Sequence, residues 1–181
     1  MKRVAVIGRT FVENSRTTSK AIELGRLLGQ NGHIVVTGGV SGYPDIVAHE
    51  CVKNGGTAEA FIFAPSVEDS KKFYNIDFNT YSIIRPIDAQ IYNDKGEVFS
   101  LYQRSLDLSF DVDCSIVIGG GTGTLFEFII MYGLQKPIGV LLHTGGVTKK
   151  AIKVLLKDLG KSDREVVFAK RPDIIVNKLG L

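Results

Sequence analysis

The sequence has 181 residues, 44% of them hydrophobic and 23% charged, with 20 glycines and a formal net charge of +3. One domain spanning 1–181 is expected, since a chain this long buries roughly 70% of its unfolded surface without metal or disulfide staples. The composition excludes global disorder, and the charge is too mild to nominate a nucleic-acid partner. An anionic small molecule stays open, because clustered backbone N–H groups do not register in net charge.

Cys51 and Cys114 lie in apolar, periodic segments with no Cys or His at metal spacing. Buried thiols in a reducing compartment are expected. No CxxC, HExxH or paired-histidine pattern is present, so no metal site is expected. The opening MKRVAVIGRTF has an apolar run of only Val4 to Gly8, too short for a signal peptide. Nowhere do the 18 or so apolar residues of a membrane span run together. The expectation is a cytoplasmic protein with no membrane partner.

In chain order, Val4 to Gly8 is a mostly β-branched run ending in Gly, the pattern of a strand buried on both faces. A polar stretch from Arg9 to Arg16 follows. Thr17 or Thr18 is then placed to cap a helix whose apolar positions Ile22, Leu24, Leu27 and Leu28 lie toward one side. Asn31-Gly32 stops that helix, and His33 to Val36 reads as a second strand. Pro44 in a first helical turn predicts a helix through Asn54, and Thr57 to Phe63 a third strand. Ala64 to Lys95 is the least legible stretch, with one strand expected near Tyr81 to Ile84. Glu97 to Phe110 predicts a helix with Val98, Leu101, Tyr102, Ser105 and Leu108 toward the sheet. Cys114 to Ile118 predicts a buried strand, Leu125 to Leu134 a helix, Pro137 to Leu142 a strand, and Thr148 to Leu159 a basic amphipathic helix. Val166 to Phe168 is a last short strand, and Pro172 opens a helix that ends at Gly180. Strands alternating with helices through short Gly-rich links predict a doubly wound, parallel, Rossmann-like α/β sheet.

In such a fold ligands bind at the carboxyl ends of the strands. Two strand-to-helix links are glycine-rich: Thr37-Gly38-Gly39-Val40-Ser41-Gly42 and Gly119-Gly120-Gly121-Thr122-Gly123-Thr124. Glycine lets a phosphate approach the backbone, and the N–H groups of a helix start then bind it. Gly38, Gly39, Gly42, Gly120, Gly121, Thr122, Gly123 and Thr124 are therefore the candidate phosphate- or nucleotide-binding residues. No dinucleotide fingerprint fits, because Thr124 and Phe126 stand where its last glycine belongs, and no P-loop motif is present. Glu127 is the acid of interest, on a helix otherwise almost wholly apolar. Either it caps the helix dipole or it faces the phosphate end of a pocket. Arg104 lies three residues from Leu101 and four from Leu108, on the flank of the buried stripe.

The stretch Gly119 to Glu127 resembles the P-G-G-x-G-T-x-x-E motif of the LONELY GUY cytokinin-activating phosphoribohydrolases, in a superfamily often labelled "possible lysine decarboxylase". Arg104 stands 15 positions ahead of Gly119, as that family's arginine does. Thr37 to Gly42 resembles its earlier G-G-G-x-x-G-x-M loop. Gly119 replaces the motif's Pro, Ser105 the usual Lys, and Pro44 the Met. Those departures, with Thr144-Gly145-Gly146, are more similar to a short branch that includes molybdenum-cofactor carrier proteins. The resemblance implies a phosphorylated small-molecule ligand, no resident cofactor and a homodimer or higher homo-oligomer. For the catalytic branch it implies hydrolysis of a nucleoside 5′-monophosphate to free base and ribose 5-phosphate, with Arg104 and Glu127 as catalytic residues. For the other branch it implies carriage or sensing of a nucleotide or pterin cofactor without turnover. The decarboxylase label implies a pyridoxal phosphate lysine. Lys149, Lys150, Lys153 and Lys157 instead fall on a basic helix face expected to be solvated.

Overall fold

The computed structural model describes residues 1–87, 100–160 and 166–181. Seven strands form one parallel sheet: β1 (Arg3–Gly8), β2 (Ile34–Thr37), β3 (Thr57–Phe61), β4 (Ile83–Arg85), β5 (Cys114–Ile118), β6 (Ile138–Leu141) and β7 (Val166–Ala169). Their order is β4-β3-β2-β1-β5-β6-β7. The chain therefore starts at the centre, builds outward to β4, and returns to the other side of β1. Val4 pairs with Val35 on one flank and with Cys114 on the other.

Side chains alternate across each strand, so Val4 and Val6 face one helical layer while Ala5 and Ile7 face the other. The first layer contains α1 (Ser15–Gln30), α2 (Tyr43–Lys53) and α7 (Pro172–Lys178). The second contains α4 (Ser100–Phe110), α5 (Thr122–Gly133) and α6 (Ala151–Asp158), and a short α3 (Val67–Lys71) follows β3. This is the doubly wound arrangement expected from the alternation of apolar runs and amphipathic segments.

Three local expectations are corrected. The first helix is capped by Asn14, whose Oδ1 accepts from Thr17 N at 2.9 Å, and not by Thr17 or Thr18. Its inward face is Ala21, Leu24, Gly25 and Leu28, which leaves Ile22 exposed. α5 begins at Thr122 rather than Leu125, which moves Glu127 out of the first turn and away from a dipole-capping role. The beginning of the helix expected from Glu97 lies outside the described residues. Cys51 and Cys114 are both buried, and burial pushes the Cys51 thiol up to about 11. Among the described residues no helix is long and apolar enough to cross a membrane.

Candidate functional site

The strand order reverses between β1 and β5, and the loops leaving their carboxyl ends open a crevice there. A cavity of about 660 Å³ occupies it. Gly8 to Phe11 wall it from β1, Gly38 and Val40 from β2, Leu101, Tyr102, Arg104 and Ser105 from α4, and Gly121 to Thr124 with Phe126 and Glu127 from α5.

Gly121 precedes α5 and offers no side-chain cap, and Leu125 N is the first amide to return to the loop, bonding Gly121 O at 3.0 Å. The amides of Thr122, Gly123 and Thr124 thus remain as donors at the positive end of a twelve-residue helix, along the cavity wall. A side-chain carbon at Gly121 or Gly123 would meet nothing within 4 Å. The Thr124 hydroxyl is committed elsewhere, donating to Gly8 O at 3.2 Å, and Gly120 packs against that threonine.

The other glycine-rich loop is built differently. Of its candidates only Gly38 reaches the cavity; a side-chain carbon at Gly39 would strike Ile62, and one at Gly42 the backbone of Arg9 to Phe11. The loop is clamped from below. Gly39 N donates to Thr37 Oγ1 (3.2 Å), that hydroxyl donates toward Tyr81 (3.4 Å), and the Tyr81 hydroxyl donates to Asp45 Oδ1 (2.8 Å).

Arg104 and Glu127 meet inside the cavity. Their side chains are only 9% and 10% exposed, with Nη1 and Oε1 3.8 Å apart. The guanidinium lies over Gly38, where any side chain would overlap it, and its Nε is buried with no hydrogen-bond partner. Ser105 Oγ has one proton and two acceptors in reach, Leu101 O at 3.0 Å and Glu127 Oε1 at 3.1 Å. Burial raises the pKa of Glu127, and the Arg104 charge and the Ser105 hydrogen bond offset this in part. The acid is thus held between a cation and a hydroxyl, with its pKa above the ordinary carboxylate value.

The apolar walls, among them Phe11, Tyr74, Tyr102 and Phe126, and the cation Arg9 were not singled out from the sequence. Arg9 carried one usable signal: it follows the last residue of the central strand, where this fold places its ligands. Among the described residues no cluster of His, Cys, Asp and Glu gathers as a metal site would.

A family model matches residues 1–176, nearly the whole chain. The chain belongs to the SLOG cluster4 family. Solved structures similar to this SLOG chain include TM1055, a structural-genomics target, with 24% identity over 99% of both chains and a TM-score of 0.78. The molybdenum cofactor binding protein from the phototrophic bacterium Rippkaea orientalis is 19% identical over 99% of this chain and 95% of that one, with a TM-score of 0.75. The Moco carrier protein of Chlamydomonas reinhardtii is 18% identical over 98% and 96%, with a TM-score of 0.70. At these identities the likeness shows the fold. No curated protein gives a significant match.

Proposed function

We propose that this protein binds a phosphorylated, ring-bearing small molecule, a nucleotide or a molybdenum-pterin cofactor, and carries or senses it without turnover. The cavity suits such a ligand in kind: uncapped helix-start amides in Gly121 to Thr124 for the phosphate, and aromatic walls for the ring. The observation that carries the no-turnover reading is the engagement of Glu127. A buried carboxyl group already held by Ser105 and Arg104 is a poor partner for a developing ribosyl cation. The similarity to a molybdenum cofactor binding protein and to a Moco carrier protein supports the same reading.

A thermal-shift and calorimetry panel of nucleoside monophosphates and molybdopterin tests it, run beside an assay for ribose 5-phosphate release. The expected result is binding without release. A single-stranded oligonucleotide in the same panel is expected to give no shift.

One observation favours a second reading, phosphoribohydrolase activity: Arg104 and Glu127 share one cavity with the Gly121 to Thr124 turn. If wild type does release ribose 5-phosphate, Glu127→Gln is expected to cost on the order of 100- to 1000-fold in rate with binding retained. Full activity in that variant would overturn the carboxylate's role.

The assembly proposed is a homodimer through the face shared by α4 and α5. Tyr102 and Ile129 are each 49% exposed there, and Phe126 stands edge-on to Tyr102 at 5.2 Å. Light scattering is expected to give twice the 19.8 kDa chain mass, and a monomer mass at assay concentration would end the idea.

A further inference from the structure

Arg9 begins the loop that leaves β1, and its backbone is fixed on both sides. Its N–H donates to Ile118 O and its carbonyl accepts from Tyr43 N, both at 3.1 Å. The root of its side chain therefore stands at the switch between β1 and β5, beside the Gly119 turn. A side-chain carbon on Gly119 would lie 3.8 Å from Arg9 Cβ. The guanidinium covers the Phe11 ring at 4.8 Å and lies 2.7 Å from Glu13 Oε1, while Nε is buried with no hydrogen-bond partner. Arg9 and the start of α5 line the same cavity.

Two arginines thus look onto one cavity with counter-ions of unequal hold. Arg104 is more than nine-tenths buried, has its own unpartnered Nε, and is opposed by buried Glu127. Separating that pair would strand a charge in a dry setting. The partner of Arg9 sits at the solvent edge, with the Glu13 side chain 32% exposed and free to be rehydrated.

We propose that Arg9 is the cation that meets the ligand's phosphate beside the α5 N-terminus, and that this phosphate displaces Glu13 from it. The inference rests on the binding site proposed above and names its anion contact. A phosphate monoester offers a guanidinium two oxygens and up to two charges, where Glu13 offers one charge. Glu13 thereby sets a threshold: a dianionic monoester outcompetes it, and a neutral nucleoside does not.

Calorimetry with inorganic phosphate and with adenosine 5′-monophosphate tests this on wild type, Arg9→Gln and Glu13→Gln. Arg9→Gln is expected to weaken both probes about tenfold or more. Glu13→Gln is expected to tighten both about threefold, because the competing charge is gone. A gain in affinity cannot come from a damaged fold, so the second variant guards the first. If wild type binds the probes but Arg9→Gln binds them equally well, or Glu13→Gln fails to tighten them, the displacement is overturned while the binding site stands. If wild type binds neither probe nor any phosphorylated compound in the panel, the site and this inference fall together.

Discussion

The two glycine-rich loops look alike in sequence and do different work in the structure. In Thr37 to Gly42 the missing side chains are filled by the protein itself: Ile62 against Gly39, the Arg9 to Phe11 backbone against Gly42, and the Arg104 guanidinium over Gly38. In Gly119 to Thr124 the space at Gly121 and Gly123 stays open onto the cavity. Glycine content thus reports only that something comes close. Whether that something is the protein or a ligand depends on what the rest of the chain brings there.

Substitutions that add one methyl group separate the two cases. The largest effect is expected for Gly42→Ala, because φ is +89° and the new carbon meets backbone atoms that have nowhere to move. A loss of about 2–4 kcal/mol is expected, seen as a Tm lower by roughly 5–15 °C. An unchanged Tm would mean that the loop is not packed against Arg9 to Phe11. Gly38→Ala is next. Its clash is with the far end of a flexible side chain, so the fold should survive while Arg104 is pushed off Gly38 and away from Glu127. Calorimetry should then show ligand affinity down by about tenfold, with a Tm loss smaller than that of Gly42→Ala.

A pH series sharpens the contrast where the two loops meet. Burial holds the Glu127 pKa above its ordinary value of 4.5, so between those two values the folded state binds more protons than the unfolded chain. The stability this contributes is complete below pH 4.5 and is lost as pH rises through the raised value. Glu127→Gln cannot titrate, so its Tm relative to wild type should climb across that window and then level off. A constant difference would place the Glu127 pKa at its ordinary value. The smallest effect belongs to Gly123→Ala. A methyl in the first helical turn, in open space, should raise stability by up to about 1 kcal/mol. Because it projects along the cavity wall it should also weaken phosphate binding, which calorimetry would register.

Much of the fold was legible because apolar runs of four or five residues, each closed by glycine or a polar turn, admit few arrangements besides a parallel sheet. Helix starts were less so. Asn14 and Thr122 precede the first apolar positions of their helices, and a reading keyed to hydrophobic periodicity begins only where that periodicity does. The site was legible in part. Glu127 stood out as the acid on an apolar helix and Arg104 as a charge on the flank of a buried stripe, yet their mutual burial comes from α4 and α5 packing on one sheet face. Ser105 read as a sheet-facing residue and a departure from a lysine, whereas in the structure its hydroxyl reaches Glu127. Arg9 and Glu13, four residues apart in a polar stretch, gave no periodic signal, since it is the turn out of β1 that pairs them.

The position of β1 at the centre of the sheet has a consequence for how the protein is made. During synthesis β1 finds β2 on one edge early, but the strand that covers its other edge, Cys114 to Ile118, emerges only after β3, β4 and α4. Until then the apolar Val4 to Ile7 segment offers unpaired amides and carbonyls along one side, an open template for another chain. A parallel pairing between such distant segments is also slow to close. The central strand is therefore open to misassembly until β5 docks, and the ligand crevice between β1 and β5 cannot form before then.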